Sequence, residues 1–115
     1  MTIQLTTEDF KKKVFDYTAH EQWKYEGAVP AIIDFYADWC EPCKWLDVIL
    51  NSIEPRVEGL VSIVKVDIEV FHDLKERFHI RGIPVLILFK QGIEVWRING
   101  FLAENELVDK LKSFV

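Results

Sequence analysis

Short apolar runs alternate along the chain with longer segments whose apolar residues recur at helical spacing. The short runs are rich in β-branched and aromatic residues, which is typical of strands. They predict five strands, at residues 3–6, 31–36, 60–67, 85–89 and 94–98. Gly92 lies between the last two runs, where a hairpin turn is expected.

The longer segments predict four amphipathic helices. The first contains Phe10, Val14 and Phe15 and follows a Thr-x-x-Asp sequence that is typical of a helix N-cap. Pro55 and Gly59 are expected to end the second helix. The remaining helical spacings fall at residues 44–50, 71–78 and 107–114. This order predicts an α/β domain with a central mixed β-sheet of about five strands and four helices packed on both faces.

The length of 115 residues, half of them apolar, predicts one domain that spans residues 1–115. The net charge of -5 argues against nucleic acid or an anionic membrane surface as the main partner. No apolar run approaches the ~20 residues of a membrane-spanning helix, so no membrane span is expected. The first residues lack a signal-peptide pattern, which predicts a cytoplasmic location; a periplasmic location is the alternative if a signal peptide has been removed.

Cys40 and Cys43 are the two cysteines of the chain, and they lie where the strand at residues 31–36 gives way to the helix at residues 44–50. Pro42 suits the first turn of a helix, where a backbone N–H has no helical partner in any case. A helix start also favours a thiolate at Cys40, because unpaired N–H groups and the helix dipole stabilise negative charge there.

The spacing of these cysteines favours disulfide exchange over two other roles. A disulfide across two residues closes too short a loop to stabilise the fold much. Zinc usually needs four ligands, and there is no second cysteine pair or histidine-rich segment, so no metal is expected. For exchange, Cys40 at the helix start is the expected attacking residue, and Cys43, one turn deeper, is the expected buried resolving residue.

Asp34 is the one charged residue of an otherwise apolar strand. We predict that it is buried, because the run is typical of a central strand with both faces covered. A solvent-facing aspartate on an edge strand is the alternative. A buried carboxyl group has a raised pKa, and one beneath the cysteines can accept the proton of Cys43 as that thiol attacks.

Together these features resemble the thioredoxin family. The resemblance covers about residues 3–115 and implies the thioredoxin fold, with reduction of protein disulfides by dithiol–disulfide exchange. It rests on an active-site motif, an aspartate upstream of it and a proline motif downstream of it: Trp39-Cys40-Glu41-Pro42-Cys43-Lys44, Asp34 and Arg81-Gly82-Ile83-Pro84.

The resemblance also implies roles for four residues outside the cysteine pair. Lys65 matches a lysine that lies near the buried aspartate and tempers its pKa, although a surface lysine is the alternative interpretation. Pro84 matches a cis-proline that faces the disulfide, and the backbone of Ile83 before it pairs with an extended substrate. Trp39 and Gly100 complete the implied docking edge, with an ordinary turn as the alternative for Gly100.

Three features depart from the family pattern. Glu41 stands where glycine is commonest, and its charge should disfavour a thiolate at Cys40, partly offset because acids are stabilised at helix N-termini. Glu41 and Pro42 are therefore expected to tune the reduction potential away from that of ordinary thioredoxin. Val48 replaces a helix-kinking proline, which predicts a straighter helix. The connection at residues 17–30 is longer than usual.

The leading hypothesis is a monomeric reductant of protein disulfides, whose electron donor is a protein such as a thioredoxin reductase. No cofactor is expected beyond the redox-active Cys40–Cys43 disulfide. One alternative is a dedicated extracytoplasmic reductase or oxidase, for example of the cytochrome c maturation type, in which a Glu-Pro pair between the cysteines also occurs. Another is a non-catalytic binding module. Asp34 and Pro84 argue against that module, because a binding scaffold needs no proton acceptor.

Overall fold

A computed structural model of the chain describes residues 2–4, 30–90 and 93–114. It contains five strands: β1 (Thr2–Gln4), β2 (Ala31–Tyr36), β3 (Ser62–Asp67), β4 (Val85–Lys90) and β5 (Ile93–Asn99). The helices of this described part are α1 (Glu41–Val57), α2 (His72–Arg77) and α3 (Glu104–Phe114).

The five strands form one mixed sheet in the order β1-β3-β2-β4-β5. β3 runs parallel to both β1 and β2. β4 runs antiparallel to β2 and to β5. The predicted α/β class and mixed five-stranded sheet are thus confirmed, with small shifts at the strand ends. The first predicted helix, the connection at residues 17–30 and the turn at Gly92 lie outside the described residues.

β2 lies at the centre of the sheet and is buried on both faces. Ile33 and Phe35 pack on one face with Leu74 of α2. Ile32 packs on the other face with Leu46 of α1 and with side chains of α3. Helices therefore cover both faces, as predicted. Since removing one large buried side chain from such a core costs about 2–5 kcal/mol, β2 is a firm support for the residues at its carboxyl end.

Helix α1 continues through Pro55 to Val57, so the predicted end at Pro55 is wrong. A proline in the last turn removes one backbone hydrogen bond, and the buried side chains of Ile53 and Val57 hold that turn on the core. The chain leaves the helix at Gly59, whose φ of 80° lies in the left-handed region that favours glycine.

None of the helices in the described ranges combines the length and the apolar character that crossing a membrane requires.

Candidate active site

The cysteine pair lies at the junction of β2 and α1. After β2 the chain turns at Ala37, whose carbonyl accepts a hydrogen bond of 3.2 Å from the backbone N–H of Cys40. Cys40 has extended backbone angles and is the N-cap residue of α1. Pro42 lies in the first turn of the helix, as predicted. The central strand and the first turn of the helix thus fix the position of the cysteines.

Cys40 and Cys43 form a disulfide, and their Cα atoms lie 5.2 Å apart. The backbone N–H of Cys43 donates to Cys40 Sγ at 3.2 Å. That N–H belongs to the first turn, where backbone donors lack helical partners, so it is aimed at the sulfur on which negative charge develops. Both cysteines are only 4% exposed. The sequence predicts burial for Cys43 alone, but both cysteines are buried. The two cysteines therefore differ in their position relative to the helix start and not in their burial.

The predicted docking residues meet beside the disulfide. The carbonyl oxygen of Ile83 lies 3.8 Å from Cys40 Sγ. The Ile83–Pro84 peptide bond is cis. The N–H of Gly100 donates to the carbonyl of Pro84 at 2.8 Å, and the φ of 123° at Gly100 favours glycine. Gly100 is thus tied directly to the proline segment.

Trp39 projects next to Cys40 with 66% of its surface exposed. Its indole Nε1–H donates to Glu69 Oε1 at 2.8 Å. This bond fixes the ring, so the apolar face of the tryptophan is held out beside the disulfide. The sequence does not predict this partner, because Glu69 lies 30 positions from Trp39 in the chain.

Asp34 is fully buried, which confirms the predicted burial and excludes the edge-strand alternative. It alternates with Ile33 and Phe35, so its side chain lies on the α1 face of the sheet. Neither carboxyl oxygen has a hydrogen-bond partner among the described residues. Burial raises the pKa of Asp34 to about 7, the positive charge of Lys65 opposes this rise, and the negative charge of Asp47 adds to it.

Lys65 lies directly opposite Asp34 in the parallel pairing of β2 and β3. Its ammonium group nevertheless donates to Asp47 Oδ1 at 2.7 Å and lies 4.5 Å from the ring centroid of Tyr36. Asp47 is not among the site residues predicted from the sequence, although it follows Cys43 by four positions and so lies on the same side of the helix. Burial by itself would lower the pKa of Lys65, but the hydrogen bond to Asp47 and the charges of Asp47, Asp34 and Tyr36 together raise that pKa.

Trp45 and Phe101 form a second aromatic feature, which no motif in the sequence predicts. Their ring centroids are 5.9 Å apart and the planes meet at 88°, an edge-to-face contact. Trp45 is 58% exposed and Phe101 39% exposed. Phe101 directly follows Gly100, so the pair continues the apolar surface away from the docking residues. The only signal in the sequence is that Trp45 falls off the buried stripe of α1.

A surface cavity of about 370 Å³ lies beside Cys43. Its walls include Tyr36, Asp47, Val48 and Lys65. The ion pair and the deeper cysteine therefore border the same cavity. Within the described part of the chain, no group of three or more His, Cys, Asp or Glu side chains could hold a metal ion.

Comparison with known proteins gives one consistent family. A family model described as Thioredoxin matches residues 1–113. The chain is 36% identical over 114 residues to a protein named Thioredoxin from Borreliella burgdorferi, covering 99% of this chain and 97% of that protein. It is 32% identical over 115 residues to Thioredoxin of Rickettsia felis, with both chains fully covered. Thioredoxin Y2, chloroplastic, of Arabidopsis thaliana is 33% identical over 110 residues, which cover 95% of this chain and 64% of that protein.

Proposed function

Because the chain belongs to the thioredoxin family and is a thiol–disulfide oxidoreductase that acts on protein disulfides, we propose that Cys40 is its attacking residue and Cys43 its resolving residue. One observation carries this assignment: the Cys43 N–H, at the start of α1, donates to Cys40 Sγ at 3.2 Å. Backbone donors at a helix start stabilise a thiolate, and the thiolate is the nucleophile of disulfide exchange. The comparisons favour neither the cytochrome c maturation type nor a non-catalytic module.

The exchange proceeds in two steps. The Cys40 thiolate attacks one sulfur of the substrate disulfide, forms a mixed disulfide and releases the other substrate sulfur as a thiolate. Cys43 then loses its proton and attacks Cys40 Sγ, which forms the Cys40–Cys43 disulfide and releases the remaining substrate sulfur. Two electrons pass to the substrate, which takes up two protons and leaves as a dithiol.

Asp34 is the proposed acceptor of the Cys43 proton. It lies on the α1 face of the central strand, and burial raises its pKa to about 7. A group with that pKa exists in both forms near neutral pH, so it can take a proton in one step and release it in the next. A carboxyl group at its ordinary pKa would be a much weaker base for this transfer.

The docking surface consists of Trp39, Ile83, Pro84 and Gly100, and we propose that the Trp45–Phe101 pair extends it. An extended substrate segment beside Cys40 can pair with the backbone of Ile83, whose carbonyl lies 3.8 Å from the sulfur. Exposed aromatic rings next to such a segment supply contact area at a small entropy cost.

Four further points belong to the same proposal. The protein acts as a reductant, is located in the cytoplasm and works as a monomer. It is reduced again by a thioredoxin reductase, because an external donor must return two electrons to the disulfide. The reduction potential separates a reductant from an oxidant: we expect a value near the roughly -270 mV of thioredoxin, and a value near the roughly -120 mV of DsbA would contradict it. Coupled oxidation of NADPH with a purified thioredoxin reductase tests the donor, and cell fractionation tests the location.

The cysteine roles are tested with wild type, Cys40→Ser and Cys43→Ser in insulin reduction. We expect Cys40→Ser to be inactive and Cys43→Ser to accumulate a mixed disulfide with the substrate through Cys40. A mass spectrum of the trapped species identifies the linked cysteine. Turnover by Cys40→Ser, or a substrate linked through Cys43 of that variant, would reverse the assignment.

A further inference from the structure

The buried carboxyl of Asp34 and the ammonium of Lys65 are neighbours that do not pair. The two residues are Cα partners across β2 and β3. Lys65 instead donates to Asp47 at 2.7 Å, while both oxygens of Asp34 are without a hydrogen-bond partner in the described part of the chain. A buried charge or polar group is normally paired, so the choice of Asp47 as partner needs a reason.

An ion pair between Lys65 and Asp34 would work against proton transfer. An ammonium bonded to a carboxylate stabilises the ionised form, and the carboxyl then holds a proton less readily. Asp47 of α1 and the ring of Tyr36 at the end of β2 engage the ammonium instead, beside the cavity that borders Cys43.

We propose that Asp47 is a positioning residue, whose carboxylate holds the Lys65 ammonium away from the Asp34 carboxyl and thereby keeps Asp34 able to take the proton of Cys43. This inference rests on the proposed role of Asp34 in the exchange. It assigns to α1 a part in the proton transfer in addition to presenting the two cysteines.

The charges around Asp34 agree with this role. From β3 it is faced by Lys65, its Cα partner, and from α1 the charge of Asp47 acts on it. β4 places the apolar Leu86 opposite it. Burial is the largest cause of the raised pKa of Asp34, Lys65 lowers that pKa, and Asp47 raises it. Removing the Asp47 carboxylate therefore removes a negative charge that raises the pKa of Asp34. It also releases the Lys65 ammonium, whose positive charge lowers that pKa.

The direct test follows the carboxyl carbon of Asp34 by NMR across pH in the oxidised protein, in which the cysteines do not titrate and cannot couple to it. We expect the Asp34 titration of Asp47→Asn to move to lower pH than in wild type. Asp47→Glu, which keeps the charge, should return the midpoint toward the wild-type value. The matched control is Glu104→Gln, which removes a carboxylate from another ion pair of α1, the one with Arg56 at 3.2 Å, and should leave the midpoint unchanged.

A double-mutant cycle with Lys65→Met tests whether Asp47 acts through the lysine. Lys65→Met alone should move the Asp34 midpoint to higher pH. Asp47→Asn should then produce a smaller downward shift in the Lys65→Met background than in wild type. Equal shifts in the two backgrounds would overturn the positioning role.

An unchanged or higher midpoint in Asp47→Asn would also overturn the inference. The NMR readout needs no turnover, so this failure is distinct from failure of the proposed function, which an inactive wild type in insulin reduction would reveal. As a functional counterpart, the pH profile for release of the mixed disulfide should move to lower pH in Asp47→Asn and stay in place in Glu104→Gln.

Discussion

Glu41 directly follows Cys40, the proposed attacking cysteine, at a position where the commonest motif of the family has glycine. Its Oε1 lies 3.2 Å from the ammonium of Lys44, and both side chains are largely exposed. An exposed pair of this kind is screened by water and salt. The charge of Glu41 is therefore reduced at Cys40 but not removed, because the two groups of the pair lie at different distances from the sulfur.

Neutralising Glu41 should make the protein a slightly weaker reductant. In Glu41→Gln the thiolate of Cys40 loses a repelling neighbour, so the reduced form is stabilised and the potential becomes less negative. The expected change is on the order of 10 mV at low salt, because exposed ion pairs contribute up to about 1 kcal/mol and about 30 mV corresponds to 1.4 kcal/mol. Equilibration with a glutathione buffer measures it.

Salt provides the control for this prediction. Raising the ionic strength to about 1 M shortens the screening length to about 3 Å. The reduction potentials of wild type and Glu41→Gln should then become nearly equal. A difference that persists at high salt would point to an altered helix start instead of a charge effect, and equal potentials at low salt would refute the tuning role of Glu41.

Helix α1 presents different residues to three different surroundings. One stripe, which includes Leu46 and Leu50, is buried in the core and fixes the helix on the sheet. Asp47 lies beside Cys43 and points its carboxylate at Lys65. Trp45 falls off the buried stripe and meets Phe101 from the segment after β5. Helical periodicity thus places the residues for anchoring, for the proposed proton control and for the proposed docking at neighbouring positions.

Truncating Trp45 should impair turnover of protein substrates selectively. We expect Trp45→Ala to lower kcat/KM for insulin by about tenfold, which corresponds to roughly 1.4 kcal/mol of lost contact, as for a moderate interface residue. Reduction of a small disulfide reagent should be unchanged, because such a reagent contacts the sulfur alone. Stopped-flow or turbidity rates with the two substrates give the comparison.

Ile93→Ala is the matched control, since Ile93 is also an exposed apolar residue, with 64% of its surface exposed. Ile93 and Asn99 are the two ends of β5, and it is Asn99 that pairs with Val85, next to Pro84. It should affect neither substrate. If Trp45→Ala slowed both substrates equally, the residue would act on the cysteines and not on docking.

For the whole molecule, the buried Asp34 makes stability depend on pH. Its folded pKa of about 7 lies above the ordinary 3.8, so the folded state binds this proton more tightly than the unfolded state. The favourable contribution is complete below about pH 4 and is lost as pH rises through about 7. Above that range, the ionised carboxyl destabilises the fold by on the order of 4 kcal/mol at about 1.36 kcal/mol per pH unit.

The variant Asp34→Asn should remove this dependence. Its free energy of unfolding, relative to wild type, is expected to rise by a few kcal/mol between about pH 4 and pH 8, since the amide cannot ionise. Any fixed cost of the unpaired amide shifts the whole curve and leaves the slope unaffected. Urea unfolding at several pH values measures this difference in the free energy of unfolding. Asp109→Asn, at an exposed position, is the control. Parallel curves for Asp34→Asn and wild type would contradict the raised pKa.

Local patterns in the sequence determined much of the architecture and half of the site. Strand and helix periodicity depend on residues a few positions apart, so they predicted the five strands and the helices of the described ranges. The junction of a buried strand with a helix start fixed where Cys40 and Cys43 lie. The apolar character of the residues around Asp34 was enough to predict its burial.

Which side chains meet across the fold depends on how the elements pack. Lys65 could have paired with Asp34 or remained at the surface, and the packing of α1 on the sheet brought Asp47 to it instead. The contacts of Ile83 with Cys40, and of Phe101 with Trp45, join segments far apart in the chain. Periodicity fixes which face a residue occupies, but its partner depends on how elements pack, because several groups of similar chemistry compete for each contact.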